Sequence, residues 1–164
     1  MDRPLARLPG LRQRRMGGPA VPIQEQGDCW ATAVATLAGL DERDRNELHR
    51  RIVLSDLALA RSSSDPPEGG AWWNVTQRFL AQHGLPVLGW VYEKHWGDLH
   101  PESAYIATGP SLRGDFNHSV VNYGSGDLFW DPHPSDDGLP SVIEWLGWWE
   151  PVNGTSGRVF GSSV

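Results

Sequence analysis

Near residue 85 the apolar pattern of this chain changes period. Upstream, large apolar side chains recur at helical spacing: Trp30, Val34, Leu37 and Ala38, then Leu48, Ile52 and Leu59, then Trp72, Val75, Phe79 and Leu80. Downstream, short β-branched or aromatic segments are separated by Gly and Pro clusters. They run from Pro86 to Tyr92, Ser103 to Thr108, His118 to Tyr123, Asp127 to Trp130 and Val142 to Trp149. Three helices followed by about five strands predict an α+β domain, with the helices packed on a mostly antiparallel sheet. Asp28 is placed to cap the first helix, which Gly39 ends near Leu40. Asp41-Glu42-Arg43-Asp44 opens the second helix and His83-Gly84 closes the third.

A length of 164 residues suits one core. The first eighteen residues hold five arginines against one acid, Asp2, and end at Gly17-Gly18-Pro19. Residues 1–20 are therefore expected to form a basic, flexible tail, residues 21–152 the domain, and residues 153–164 a C-terminal tail. Pro4, Pro9 and Gly10 interrupt Leu5, Leu8 and Leu11, so the start lacks the apolar region of a secretory signal. No apolar run approaches the ~18 residues of a membrane span. The expectation is a cytoplasmic protein with no membrane partner.

A formal net charge of −6 argues against affinity built on neutralising phosphates, so no nucleic-acid partner is expected. One cysteine, Cys29, excludes an internal disulfide and any multi-cysteine zinc site. No metal or other cofactor is expected.

The chemistry-bearing stretch of the first half is Gln24-Glu25-Gln26-Gly27-Asp28-Cys29-Trp30-Ala31. A cysteine in the first turn of a helix meets unpaired N–H groups and the positive end of the dipole, both of which favour thiolate over thiol. The same N–H groups can face a developing oxyanion. A nucleophilic thiol needs a base, and the base needs a partner that fixes its tautomer. His118 begins one strand and Asp131 ends the next, with Gly124-Ser125-Gly126 as the turn between them. Across such a hairpin, residues whose numbers sum to about 250 face each other, which makes His118 and Asp131 cross-strand neighbours. Each residue has an ordinary use: a small buried thiol, a strand histidine, an Asp-Pro turn. Their order and the hairpin spacing set them apart.

Gln, then Asp28-Cys29 at a helix start, then His118-Ser119-Val120-Val121, then Asp131-Pro132, together resemble the pattern of papain-fold cysteine peptidases of the C39-like group. These are small bacterial and phage domains related to the leader peptidases of bacteriocin exporters. The resemblance covers about Pro22 to Pro151 and implies a papain-like fold. It makes Cys29 the nucleophile, His118 the general base and acid, Asp131 the residue orienting the imidazole, and Gln24 the oxyanion donor. The sequence departs from the pattern twice. The family's Gln lies six residues before the Cys, where this chain has Ile23, with Gln24 five and Gln26 three before. Trp30 stands where Gly is common, and would either narrow the cleft or turn into the core.

Trp30, Arg113, Asn117 and His133 are the residues expected on the substrate side, with Arg113 suited to a carboxylate. The implied activity is hydrolysis of an amide (peptide) bond in a peptide or protein substrate through a thioester. Acyl transfer or deamidation would use the same triad, and a catalytically silent papain-fold binding module is a further alternative. The double glycine of Arg15-Met16-Gly17-Gly18 adds self-processing to these readings. Oligomeric state stays open.

Overall fold

Seven of the ten residues of helix α1 (Cys29–Ala38) are buried, among them Ala31, Thr32, Ala33, Val34, Ala35 and Leu37. A helix enclosed on most sides needs small side chains so that neighbours can approach closely, and this one is chiefly Ala and Thr. It ends at Gly39, whose φ of 65° lets Gly39 N–H bond to Thr36 O and Leu40 N–H to Ala35 O. The computed structural model describes residues 11–15, 27–62, 70–91, 98–152 and 156–163.

Helix α2 (Glu42–Arg61) starts at Asp41, whose side chain accepts from Asp44 N–H at 2.9 Å. Glu42 and Asp44 in its first turn and Arg61 in its last complement the helix dipole. Helix α3 (Gly70–Gln82) packs against α2. Its Gln77 amide donates to Leu88 O and accepts from Leu88 N–H, both at 2.9 Å, which ties α3 to the first strand. Among the described residues no helix is long and apolar enough to cross a membrane.

Among the described residues six strands form one open antiparallel sheet: β1 (Leu88–Val91), β2 (Ala104–Pro110), β3 (Asn117–Tyr123), β4 (Leu128–Trp130), β5 (Glu144–Val152) and β6 (Ser156–Phe160). The order is β1-β5-β2-β3-β4, with β6 pairing the second half of β5. The fold class read from the apolar period, α+β with helices on an antiparallel sheet, is the observed one. The sixth strand corrects the C-terminal tail expected over 153–164. Val159 and Phe160 face Trp149 and Trp148 of β5, and Ser162 bridges to Ala104. Glycines in this stretch hid it, and one of them has a packing reason. A Cβ on Gly157 would overlap the Trp149 indole.

The core lies between the sheet and the helices, with Val34, Leu37, Leu48, Phe79 and Leu80 against Ile106, Val121 and Leu146. A smaller cluster of Tyr105, Ala107, Val120 and Trp145 is covered by Leu99, Leu139 and Val142. Both faces of β2 and β3 are thus buried.

Two further expectations are corrected. Asp28 makes no side-chain cap on α1. Its carboxylate accepts from Arg14 N–H at 3.0 Å and Arg15 N–H at 3.1 Å, and pairs with Arg45 at 3.3 Å. Residues 11–15, inside the expected tail, therefore lie against the domain. Arg45 is 1% exposed and Asp28 3%, and Arg45 also donates to Arg12 O at 2.7 Å and Thr32 Oγ1 at 3.1 Å. A buried ion pair broken on one side leaves an uncompensated charge, a cost of about 3–5 kcal/mol. Arg45→Met is expected to lose that much stability in urea unfolding, and a loss below about 1 kcal/mol would contradict this reading of the cluster.

Candidate active site

The β3–β4 hairpin turns at 124–126, where Tyr123 N–H bonds to Asp127 O and Gly126 takes a φ of 98°. Asn122 pairs with Leu128 and Val121 with Trp130, with a bulge between. This register brings the first residues of β3 and the end of β4 together. His118 Nε2 and Asp131 Oδ1 are 2.7 Å apart, His118 being 1% and Asp131 0% exposed.

Asp131 is held by more than the imidazole. Its Oδ1 also accepts from His133 N–H at 2.8 Å, an Asx-type turn closed two residues downstream, and its Oδ2 accepts from Gly138 N–H at 2.9 Å. Gly138 has a φ of 66°, a backbone conformation that glycine adopts without strain. Burial alone would raise the Asp131 pKa. The bonds from His118, His133 and Gly138 outweigh it, helped by the His118 charge, and hold the carboxyl below its usual range. The group is a carboxylate.

Cys29, at the head of α1, is the other group that acts on the ring's charge. Burial opposes charge on His118. Hydrogen bonding to Asp131 and to Cys29, together with the charges of both, prevails and raises its pKa to about 9. With Nε2 engaged by Asp131, Nδ1 is the nitrogen left for the thiol. Cys29 itself is only partly buried, so reagents can approach it.

The three residues read as nucleophile, base and orienting carboxylate are thus brought together. Gln24 and Gln26 lie outside the described residues. Trp30 is engaged with α3: its indole N–H donates to Thr76 Oγ1 at 3.0 Å, and its ring meets Trp72 edge-on at 4.7 Å. Asn117 is exposed at the start of β3, opposite Pro110. His133 sets its ring edge-on to His118, centroids 6.4 Å apart, and exchanges a 2.8 Å bond with Ser135 Oγ. Arg113 donates to the same hydroxyl at 3.1 Å and lies 3.9 Å from Asp137. Arg113, Ser135 and His133 therefore form a polar chain beside the His118 ring. Burial, then the Arg113 charge, lowers the His133 pKa, so its ring is neutral at neutral pH. Among the described residues no group of three or more His, Cys, Asp or Glu side chains is placed to hold a metal ion.

Sequence reasoning missed Gly138, the His133 amide and Arg12. Arg12 donates to Asp131 O at 3.0 Å and to His133 O at 2.9 Å. The Asp-Pro-His spacing was a usable signal for the amide, since Asp side chains habitually bond two residues on. Nothing local pointed to the other two.

Searches among known protein families, curated proteins and solved structures find no match to this chain.

The ring's titration is directly measurable. A pKa raised on folding stabilises the native state fully below the unfolded value near 6.5, and that contribution disappears as pH climbs through about 9. NMR of the imidazole is expected to show His118 titrating near 9 in the wild type and well below that in Asp131→Asn. Urea midpoints should fall over the same interval in the wild type. A wild-type ring titrating at 6.5 or lower would contradict the assignment of these electrostatics.

Proposed function

We propose that this protein is a papain-like cysteine hydrolase that cleaves an amide bond, in a peptide or protein, through a thioester on Cys29. The observation that carries the reading is a buried imidazole bonded at 2.7 Å to a carboxylate, with the only thiol of the chain near enough to help raise the ring's pKa. A structural histidine has no need of a carboxylate held by three donors and a cysteine at once. A general base has need of both.

The Cys29 sulfur attacks the acyl carbon while its proton resides on His118. The new oxyanion lies at the N-terminus of α1, where the first N–H groups have no intrahelical acceptor; the ladder begins with Thr32 N–H bonding to Asp28 O. His118 gives its proton to the leaving amine, the C–N bond breaks and the thioester remains. The neutral ring then takes a proton from water, whose oxygen attacks the thioester, and the sulfur leaves with the proton returned. Asp131 stays ionised throughout, keeps Nε2 as the donor toward itself and so aims Nδ1 at the sulfur. Deamidation or transfer to an amine differs only in which nucleophile or leaving group enters these steps, and the peptide reading rests on resemblance.

p-Nitrophenyl acetate tests the acyl chemistry without knowledge of the substrate. The wild type is expected to release a burst of one nitrophenolate per chain and to carry an acetyl group on Cys29 by intact mass. Cys29→Ala should lose both, and His118→Ala should slow the burst by about 10²–10⁴. Nitrophenolate release that persists in Cys29→Ala would overturn the proposal. New α-amino groups from casein, as against ammonia from a glutamine dipeptide, then separate peptidase from deamidase.

A further inference from the structure

Asp131 follows β4, a three-residue edge strand joined to β3 at two register positions with a bulge between them. It opens an irregular stretch that reaches β5 at Glu144. Strand pairing this short does not hold a carboxylate to the fraction of an ångström that orienting an imidazole requires. Something else fixes it.

The contacts of Arg12 supply that fixation. One nitrogen, Nη1, donates to Asp131 O at 3.0 Å, to His133 O at 2.9 Å and to Asp136 Oδ1 at 2.6 Å, and Nη2 reaches Asp136 Oδ2 at 3.1 Å. The guanidinium also lies 4.2 Å above the Trp130 ring, whose indole N–H donates to Leu11 O at 2.9 Å. A single side chain thus grips positions 130, 131, 133 and 136. Asp136 is the residue of this loop at a φ of 55°, unusual for a non-glycine, and its pairing with Arg12 helps to hold it there. Both charged groups of that pair are exposed, so its attraction alone contributes little. The carbonyl bonds and the stacking do the holding.

The clamp is itself anchored. Arg12 O accepts from buried Arg45, Gln13 N–H bonds to Pro132 O at 2.9 Å, and the Arg14 and Arg15 N–H groups bond to Asp28, next to Cys29. Residues 11–15 therefore span from the carboxylate's loop to the head of the nucleophile's helix.

We infer that Arg12 is a positioning residue of the active site: its guanidinium, carried on the 11–15 strap, fixes the Asp131 loop so that the carboxylate orients His118 toward Cys29. This inference rests on the acyl-transfer reading above. Arg12 touches neither ring nor thiol, and acts through the main chain of Asp131 and His133. The titratable and charged groups around His118 are Asp131 and Cys29, with His133 edge-on and Arg113 beyond it, and Arg12 behind Asp131.

The test uses the full chain with Arg12→Ala, Arg12→Lys and, as a control, Asp131→Asn. The readouts are the p-nitrophenyl acetate burst rate and the NMR titration of His118. Arg12→Ala is expected to keep the far-ultraviolet circular dichroism of the wild type, to acylate at least about tenfold more slowly, and to titrate His118 closer to 6.5. If Arg12→Ala does not fold, Arg12→Lys decides, because a lysine keeps the charge but loses the planar fork. A severalfold slower burst with a displaced titration supports the inference. Wild-type rate and titration in the folded variant overturn it, since a role confined to stability would lower the melting temperature and move neither. Asp131→Asn separates the two levels. If it leaves the burst intact, the carboxylate does not orient the imidazole and the inference fails, while the acyl-transfer reading stands or falls on Cys29→Ala. If it abolishes the burst while both Arg12 variants behave as wild type, the positioning role alone fails.

Discussion

The arrangement depends on one buried carboxylate. Asp131 has no exposed surface, and an ionised group taken out of water must recover from the protein what the solvent supplied. It does so with three donors from separate points of the chain: a side chain on β3, an amide two residues on, and an amide seven residues on. Two of the three are main-chain groups that the loop after β4 must present at fixed angles, which explains both the Asp-Pro turn and a left-handed glycine at 138. The third donor, the imidazole, is the only partner that can change its own charge. Its protonation answers to both the carboxylate and the thiol.

A second buried charge pair, Asp28 with Arg45, sits at the head of α1 immediately before Cys29. The short segment 11–15 touches both pairs: its amides reach Asp28 and its one clamping guanidinium reaches the Asp131 loop. Helix α1 and the β3–β4 edge belong to different layers, joined otherwise by apolar packing that fixes distance well and orientation poorly. Directional hydrogen bonds through the strap add the orientation. This explains why so polar and arginine-rich a segment lies against the domain: its backbone N–H groups give a buried carboxylate the donors it needs beyond its pairing with Arg45.

What could be read from residues alone follows the range of the forces. Local periodicity located all three helices and the first five strands, because burying one face imposes a repeat along the chain. The pairing of His118 with Asp131 was legible because a two-strand hairpin converts sequence distance into spatial position. Asp28 was misread as a helix cap because local preference favours that use, whereas the buried Arg45 and the amides of Arg14 and Arg15 compete for the carboxylate and win. Arg12 was illegible for the same reason in stronger form. It acts on groups 119 to 124 positions away, and no local pattern encodes such a contact. Strand β6 escaped notice because the glycines in and around it, with Gly157 required by the Trp149 ring, look like a loop.

On the proposed reading, His118 and Asp131 make Cys29 a working nucleophile. The most direct measurement is the rate at which iodoacetamide alkylates the native wild-type protein at pH 6.5, compared with His118→Ala and with the urea-unfolded chain. Native Cys29 is expected to react faster than in either reference, with the advantage gone when the imidazole is removed. A native thiol that reacts no faster than in His118→Ala, or only after unfolding, would contradict it.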